Sequence, residues 1–229
     1  RANLLRTISH DLRTPLTAIS GNASNLLSNH SAIDEATRLQ IYADIYDDSM
    51  WLINLVENLL TVTRIEDGRM NLRMETELVS EVFSEALRHV SRQSVEHSVT
   101  AESTDDLLLA RMDARLIVQV IINLVDNAIK YTQKGSRIQI LTDKLESNVR
   151  IRVTDDGPGI PDEAKPFVFD MCYTGANRIA DSRRSLGLGL CLCRSIIRAH
   201  GGEISVSDNT PSGCIFTFTL PCEEVAIHE

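Results

Sequence analysis

ISHDLRTPL, residues Ile8 to Leu16, puts a reactive side chain on the outer face of a helix. Leu5, Ile8, Leu12, Leu16, Ile19, Ala23 and Leu26 recur every three or four residues, which is the apolar stripe of an amphipathic helix. At about 100° per residue, His10 lies about 200° from Ile8 and about 160° from Leu12, so it points away from that stripe. Asp11 follows it directly, and Thr14 lies one turn further on the same face. Pro15 removes the amide that would bond to the carbonyl of Asp11, so the spacing predicts a bend just past the histidine. Taken alone, His10 is an ordinary surface histidine. Its meaning depends on the rest of the chain.

The chain has 229 residues, of which 43% are hydrophobic, enough for one or two domains with a real core. With 32 acidic against 23 basic residues the formal net charge is −9, and no cluster of five or more lysines and arginines occurs. That balance argues against nucleic acid or an anionic membrane surface as a direct ligand. No apolar run approaches the roughly 20 residues that span a bilayer, and the start lacks a signal-peptide pattern. The expectation is a soluble, cytoplasmic piece. Arg1 already lies inside the first helical pattern with no cap before it, so the sequence reads as cut from a longer protein, one whose upstream part can sit in the cell membrane. The five cysteines, Cys172, Cys191, Cys193, Cys214 and Cys222, fall late and are odd in number. They fit a reducing compartment better than a disulfide framework, and no second pair stands at zinc-ligand spacing.

Past a polar stretch from Ser28 to Glu35, with Asp34 as a cap, a second long helix is predicted to about Asp67. Its stripe reads Ile45, Ser49, Leu52, Val56, Leu59 and Thr63, widened by Trp51, Leu55 and Val62, a coiled-coil-like spacing. A single hairpin would leave much of this surface in water. A twofold dimer forming a four-helix bundle is therefore expected. Gly68 ends the helix, and the character then changes to alternating helices and strands. Helices are predicted over 78–92, 113–131 and 185–200, and strands over 107–112, 138–141 and 149–153. Two final strands fall within 202–220, around a turn at 209–213. The fold class is thus α followed by α/β: a helical hairpin over 1–72, then a layered α/β sandwich over 73–229.

Three clusters in the second part carry chemistry. In NLVDNAIKYT, Asn123 and Asn127 are four apart and share a helix face, with Lys130 and Tyr131 a turn further. Two neighbouring amides suit a magnesium ion that keeps its waters. In DDGPGI, Asp155 closes an apolar strand, while Gly157 and Gly159 let the backbone approach a flat ligand before Ile160. A carboxylate there can accept from an exocyclic amine. In LGLGL, Gly187, Leu188 and Gly189 open a helix whose first amides face outward, as anion sites do. Each cluster singly also fits surface amides, a tight turn or a glycine-led helix start.

Together and in this order they resemble the asparagine box and the two glycine boxes of the Bergerat-type ATP-binding fold. That fold is shared by histidine kinases, gyrase-type topoisomerases, Hsp90 chaperones and mismatch-repair ATPases. SHDLRTPLTAI upstream resembles the histidine box of two-component sensor histidine kinases, and with HGGEI it is similar to the potassium-responsive KdpD-type kinases. The resemblance covers essentially the whole chain. It implies an enzyme in which His10 attacks the γ-phosphate of ATP while Asp11 orients it or takes its proton. Asn123 and Asn127 would arrange magnesium, Lys130 and Tyr131 line the nucleotide site, and Asp155 read the adenine amino group. Ile160 and Leu188 belong to the same boxes, and Gly157, Gly159, Gly187 and Gly189 would shape the pocket and the lid between them. Phosphate would then pass to an aspartate on a response-regulator receiver domain. Thr14 matches a position that orients water for the reverse, phosphatase reaction, and equally fits a helix-face threonine.

Some positions depart from the family pattern. Val168, Phe169 and Asp170 keep the phenylalanine box, but Cys172 stands where a second aromatic is usual and Thr174 where an arginine is usual. Ser185 replaces the first glycine of the last box and is followed by Leu186, while Arg178, Arg183 or Arg184 can supply positive charge. The altered lid motivates an alternative: a nucleotide-binding, kinase-weak member acting as a phosphatase or scaffold on its regulator. A conformational ATPase of the chaperone type is a third possibility. Whether phosphate is added within or between protomers depends on the loop near His30 and Ser31.

Overall fold

The computed structural model describes residues 2–29, 32–90, 96–105, 107–171, 173 and 187–222 and, for residues 2–8, 10 and 11, the backbone alone. Two long helices come first, α1 (Ala2–Asn29) and α2 (Glu35–Glu66). Helix α1 continues through Pro15, whose missing amide leaves only one bond of the ladder unmade. Asp34 caps α2 by accepting from the Thr37 amide at 2.9 Å. At the far end Gly68, at φ +65°, ends the helix in the left-handed conformation that glycine adopts without strain.

The buried line along α2 is Ile41, Asp48, Leu55 and Val62, spaced by seven. The expected stripe was centred beside it, and Val56 and Thr63, read as inward, are exposed. On α1, Leu12, Pro15, Ile19 and Leu26 face inward, while Leu16 is 54% exposed. The helices thus carry more apolar surface than one hairpin covers. The lower end of α2 does not stop at the hairpin. Val62 is fully buried in the core of the following α/β unit, and Ile65, Met70 and Leu72 pack against the same core.

That unit contains α3 (Val79–Val90), α4 (Ala114–Tyr131), α5 (Leu188–Ala199) and seven strands: β1 (Glu75–Leu78), β2 (Ser98–Ser103), β3 (Leu109–Met112), β4 (Arg137–Leu145), β5 (Asn148–Asp155), β6 (Ile204–Asp208) and β7 (Cys214–Pro221). Five strands form one sheet in the order β2-β4-β5-β7-β6, with β2 parallel to β4 and the other pairs antiparallel. β1 and β3 form a separate antiparallel ribbon. Alternation is strict on β7, where Cys214, Phe216, Phe218 and Leu220 point inward. Ile138 and Ile140 of β4 and Val149, Ile151 and Val153 of β5 complete that inner face, with α3, α4 and α5 contributing to the same core. The architecture is the expected helical part followed by an α/β layer.

Candidate functional site

The site lies where α4, the end of β5 and the start of α5 converge. Helix α4 buries Leu116, Ile117, Val120, Ile121, Leu124, Val125 and Ala128. Its remaining face presents Asn123, Asp126 and Asn127 at helical spacing. The Asn123 Nδ2 is buried and, among the described residues, has no hydrogen-bond partner. A methyl group on Gly189 would lie 3.8 Å from Asn123 Oδ1, so the first turn of α5 meets the amide directly. Lys130 Nζ stands 5.3 Å over the exposed Tyr131 ring at the far end of α4.

Asp155 closes β5 and is 7% exposed. Its Oδ1 accepts from the Gly157 amide at 2.9 Å and the Cys214 amide at 3.2 Å, and its carbonyl accepts from Asn209 Nδ2 at 2.7 Å. Both side-chain bonds fall on Oδ1, and among the described residues no donor reaches Oδ2. Burial raises the carboxyl above its usual range, and the two amides oppose that rise. Gly213, at φ +109°, allows this arrangement, because a Cβ there would fall 2.0 Å from the Asp155 carbonyl oxygen. Gly157 fits against Thr132 and the Tyr131 carbonyl. The structure thus brings the expected residues Asn123 and Gly189 together at the start of α5, and Asp155, Gly157 and Gly159 together beside Gly213 at the end of β5, while Ile160 packs on the main core. Gly213 and Asn209 are additions. The signal for Gly213 was present in SGC, a glycine just before a strand, but its role depends on a strand 58 residues earlier, as the Cys214 to Asp155 separation of 59 shows.

Gly187 caps α5 at φ +63°, and a Cβ on it would sit 2.3 Å from the Tyr173 carbonyl oxygen. Leu188 turns the other way. It is buried with Leu55 of α2, and Leu12, Trp51 and Met171 pack around the pair. Gln119 of α4 also donates to Asn58 of α2 at 3.0 Å. Leu12, two residues beyond His10, thus packs in the same cluster as Leu188 at the start of α5. The side chains of His10 and Asp11 lie outside the described set, as do Cys172, Thr174, Arg178, Arg183, Arg184, Ser185, Leu186, His30 and Ser31. Thr14 is on the exposed side of α1. Among the described residues no three His, Cys, Asp or Glu side chains gather as a metal cage.

Asp126 adds an unforeseen titration to this face. Burial pushes its carboxyl from the ordinary 3.8 up to about 6. A carboxyl held protonated by the fold loses stability as pH rises from the unfolded value through about 6. Asp126→Asn is therefore expected to stabilise the ligand-free, metal-free protein at pH 7.5 by on the order of 1–3 kcal/mol. The gain should vanish below pH 4. Thermal melts at the two pH values check this, and an equal gain at both would contradict it.

A domain family described as histidine kinase-, DNA gyrase B- and HSP90-like ATPase matches residues 112–224, and the His Kinase A (phospho-acceptor) domain matches residues 1–68. The chain belongs to the histidine kinases. It is 44% identical to the sensor protein KdpD of Clostridium acetobutylicum over 97% of this chain and 25% of that relative. Thus it spans about a quarter of the relative's length. Acinetobacter baumannii histidine kinase AdeS shares the fold at TM-score 0.74 and 28% identity, covering 94% of this chain and 98% of that one. The structure of histidine kinase ThkA in complex with response regulator protein TrrA superposes at TM-score 0.71 with 27% identity, over 96% of this chain and 61% of that one.

Proposed function

We propose that this chain is the kinase core of a two-component sensor. It binds magnesium and ATP between α4, α5 and the end of β5, and a ring nitrogen of His10 attacks the γ-phosphorus. The bond to the β–γ bridging oxygen breaks and ADP leaves. Asp11 orients the ring or takes its proton. The phosphoryl group then passes to an aspartate of a response-regulator receiver domain, in keeping with the ThkA–TrrA complex. The observation that carries this reading is the packing of Leu12 of α1 against the buried pair of Leu55 and Leu188, which brings the histidine-bearing helix and the start of α5 into one cluster. Asn123 and Asn127 would hold a magnesium ion, which would offset phosphate charge, since neutral amide oxygens bind it without completing a cage of their own. Asp155 Oδ2 fits the adenine amino group. Lys130, Tyr131, Ile160 and Gly159 line the remaining approach, and Thr14 serves the reverse reaction.

We divide the chain at residues 72 and 73, although the end of α2 packs into the second unit. None of the helices, among the described residues, is long and apolar enough to cross a membrane. In this reading the core works in the cytoplasm, within a longer protein that carries the sensor and any membrane anchor. Incubation with γ-labelled ATP and magnesium tests the proposal: acid-labile, base-stable label on the protein supports it. Nucleotide binding without label would instead favour the phosphatase or scaffold alternative.

The same reading includes a homodimer through the hairpin. Leu39, Tyr42, Tyr46, Met50, Ile53, Val56 and Leu60 are exposed at steps of three and four along α2, a second stripe of the kind a four-helix bundle buries. Light scattering at micromolar concentration is expected to give twice the chain mass. Ile53→Asp should halve it, and a monomeric wild type would refute the dimer.

A further inference from the structure

His200 follows the last turn of α5 and is 3% exposed, far from the nucleotide end of that helix. Its Nδ1 lies 2.8 Å from the Ile196 carbonyl, and its Nε2 lies 3.0 Å from the Asp113 backbone nitrogen. A backbone amide only donates, so Nε2 is the acceptor and Nδ1 carries the proton. Burial favours this neutral ring. Asp113 is the N-cap residue of α4, yet its carboxylate makes no cap bond to its own helix. Instead Oδ2 accepts from the backbone amide of Arg73 at 3.1 Å, in the linker that leaves α2. The backbone beyond His200 is equally constrained, because a Cβ on Gly202 would fall 1.9 Å from the Thr219 carbonyl oxygen.

We propose that His200 is a positioning residue for nucleotide binding: it ties the C-terminus of α5 to the N-terminus of α4 and, through the Asp113 carboxylate, to the linker at Arg73. The two tied helices carry Asn123 and Asn127 on one side and Gly187 and Gly189 on the other. Helices transmit displacement along their axes, so a shift at Asp113 reaches Asn123 about 15 Å away. A linker moved by the hairpin therefore changes the spacing of the pocket. This rests on the nucleotide-binding reading given above.

The test measures affinity for magnesium and AMP-PNP by titration calorimetry. His200→Leu, which keeps volume but loses both bonds, is expected to weaken binding at least tenfold. His200→Gln, which can still accept from the Asp113 amide, should recover to within about threefold. Asp113→Ala should weaken binding as well, and the double variant with His200→Leu should be no weaker than the worse single one. Wild-type affinity in a folded His200→Leu, or multiplied losses in the double variant, would overturn the relay. If the leucine variant does not fold, nitrogen NMR of the wild-type ring decides: a proton on Nδ1 alone at pH 7 supports the relay, and a proton on Nε2 overturns it. A wild type that binds no nucleotide while showing the Nδ1 proton would sink the nucleotide reading and leave the ring assignment standing.

Discussion

His10→Gln is expected to abolish protein-bound phosphate from ATP, by at least about 10³-fold, because it removes the ring nitrogen proposed as the nucleophile. The amide nitrogen of glutamine has its lone pair delocalised into the carbonyl and is a poor nucleophile at any accessible pH. Asp11 cannot substitute, since an acyl phosphate would be base-labile and would show as label lost on alkaline treatment. The proposed nucleotide site is built from α4, β5, α5 and the β6–β7 turn, none of which His10 belongs to. Affinity for ATP should accordingly stay within about twofold of wild type. Labelling followed by acid and base treatment, with calorimetry alongside, checks both halves. Unchanged free phosphate release in the variant would identify a chaperone-type ATPase instead.

Asp155→Asn has the second large effect. Its Oδ1 can still accept from the Gly157 and Cys214 amides, so the loop keeps its shape. The other position now holds an NH₂ group, which turns a donor toward the donor of the adenine amine. Losing a good hydrogen bond and leaving two donors opposed is expected to weaken ATP binding roughly 100-fold. Inosine triphosphate carries a carbonyl where ATP carries the amine. The variant should therefore prefer it, reversing the wild-type order. Calorimetry with both nucleotides reads this directly, and a parallel loss for both would show that Asp155 shapes the pocket without reading the base.

The sequence made the long, strongly patterned elements legible. Asp34 and Gly68 bounded α2 correctly because a cap and a left-handed glycine act locally. Helix α4 and strands β4, β5 and β7 follow from clear periodicity. β1, Glu75–Leu78, and β2, Ser98–Ser103, were not expected, because ETEL is short and charged and SVTAES is a mostly exposed edge strand. The inward face of α2 was displaced by Asp48, a buried acid that a search for apolar residues skips. Asp155, Gly157 and Gly189 stand out by their motifs, whereas Gly213, Asn209 and His200 act on partners far along the chain. Spacing alone does not report such contacts.

The contact between Tyr173 and Gly187 has a consequence for how this protein can vary. Fourteen residues apart in sequence, the two backbones lie against one another. Doubling the length of a chain joined at two fixed points adds only about 0.6 kcal/mol of closure entropy. Insertions and deletions between 174 and 186 therefore leave Asp155, Asn123 and the start of α5 in place. A change of length there is expected to leave the folding stability of the α/β unit nearly unchanged.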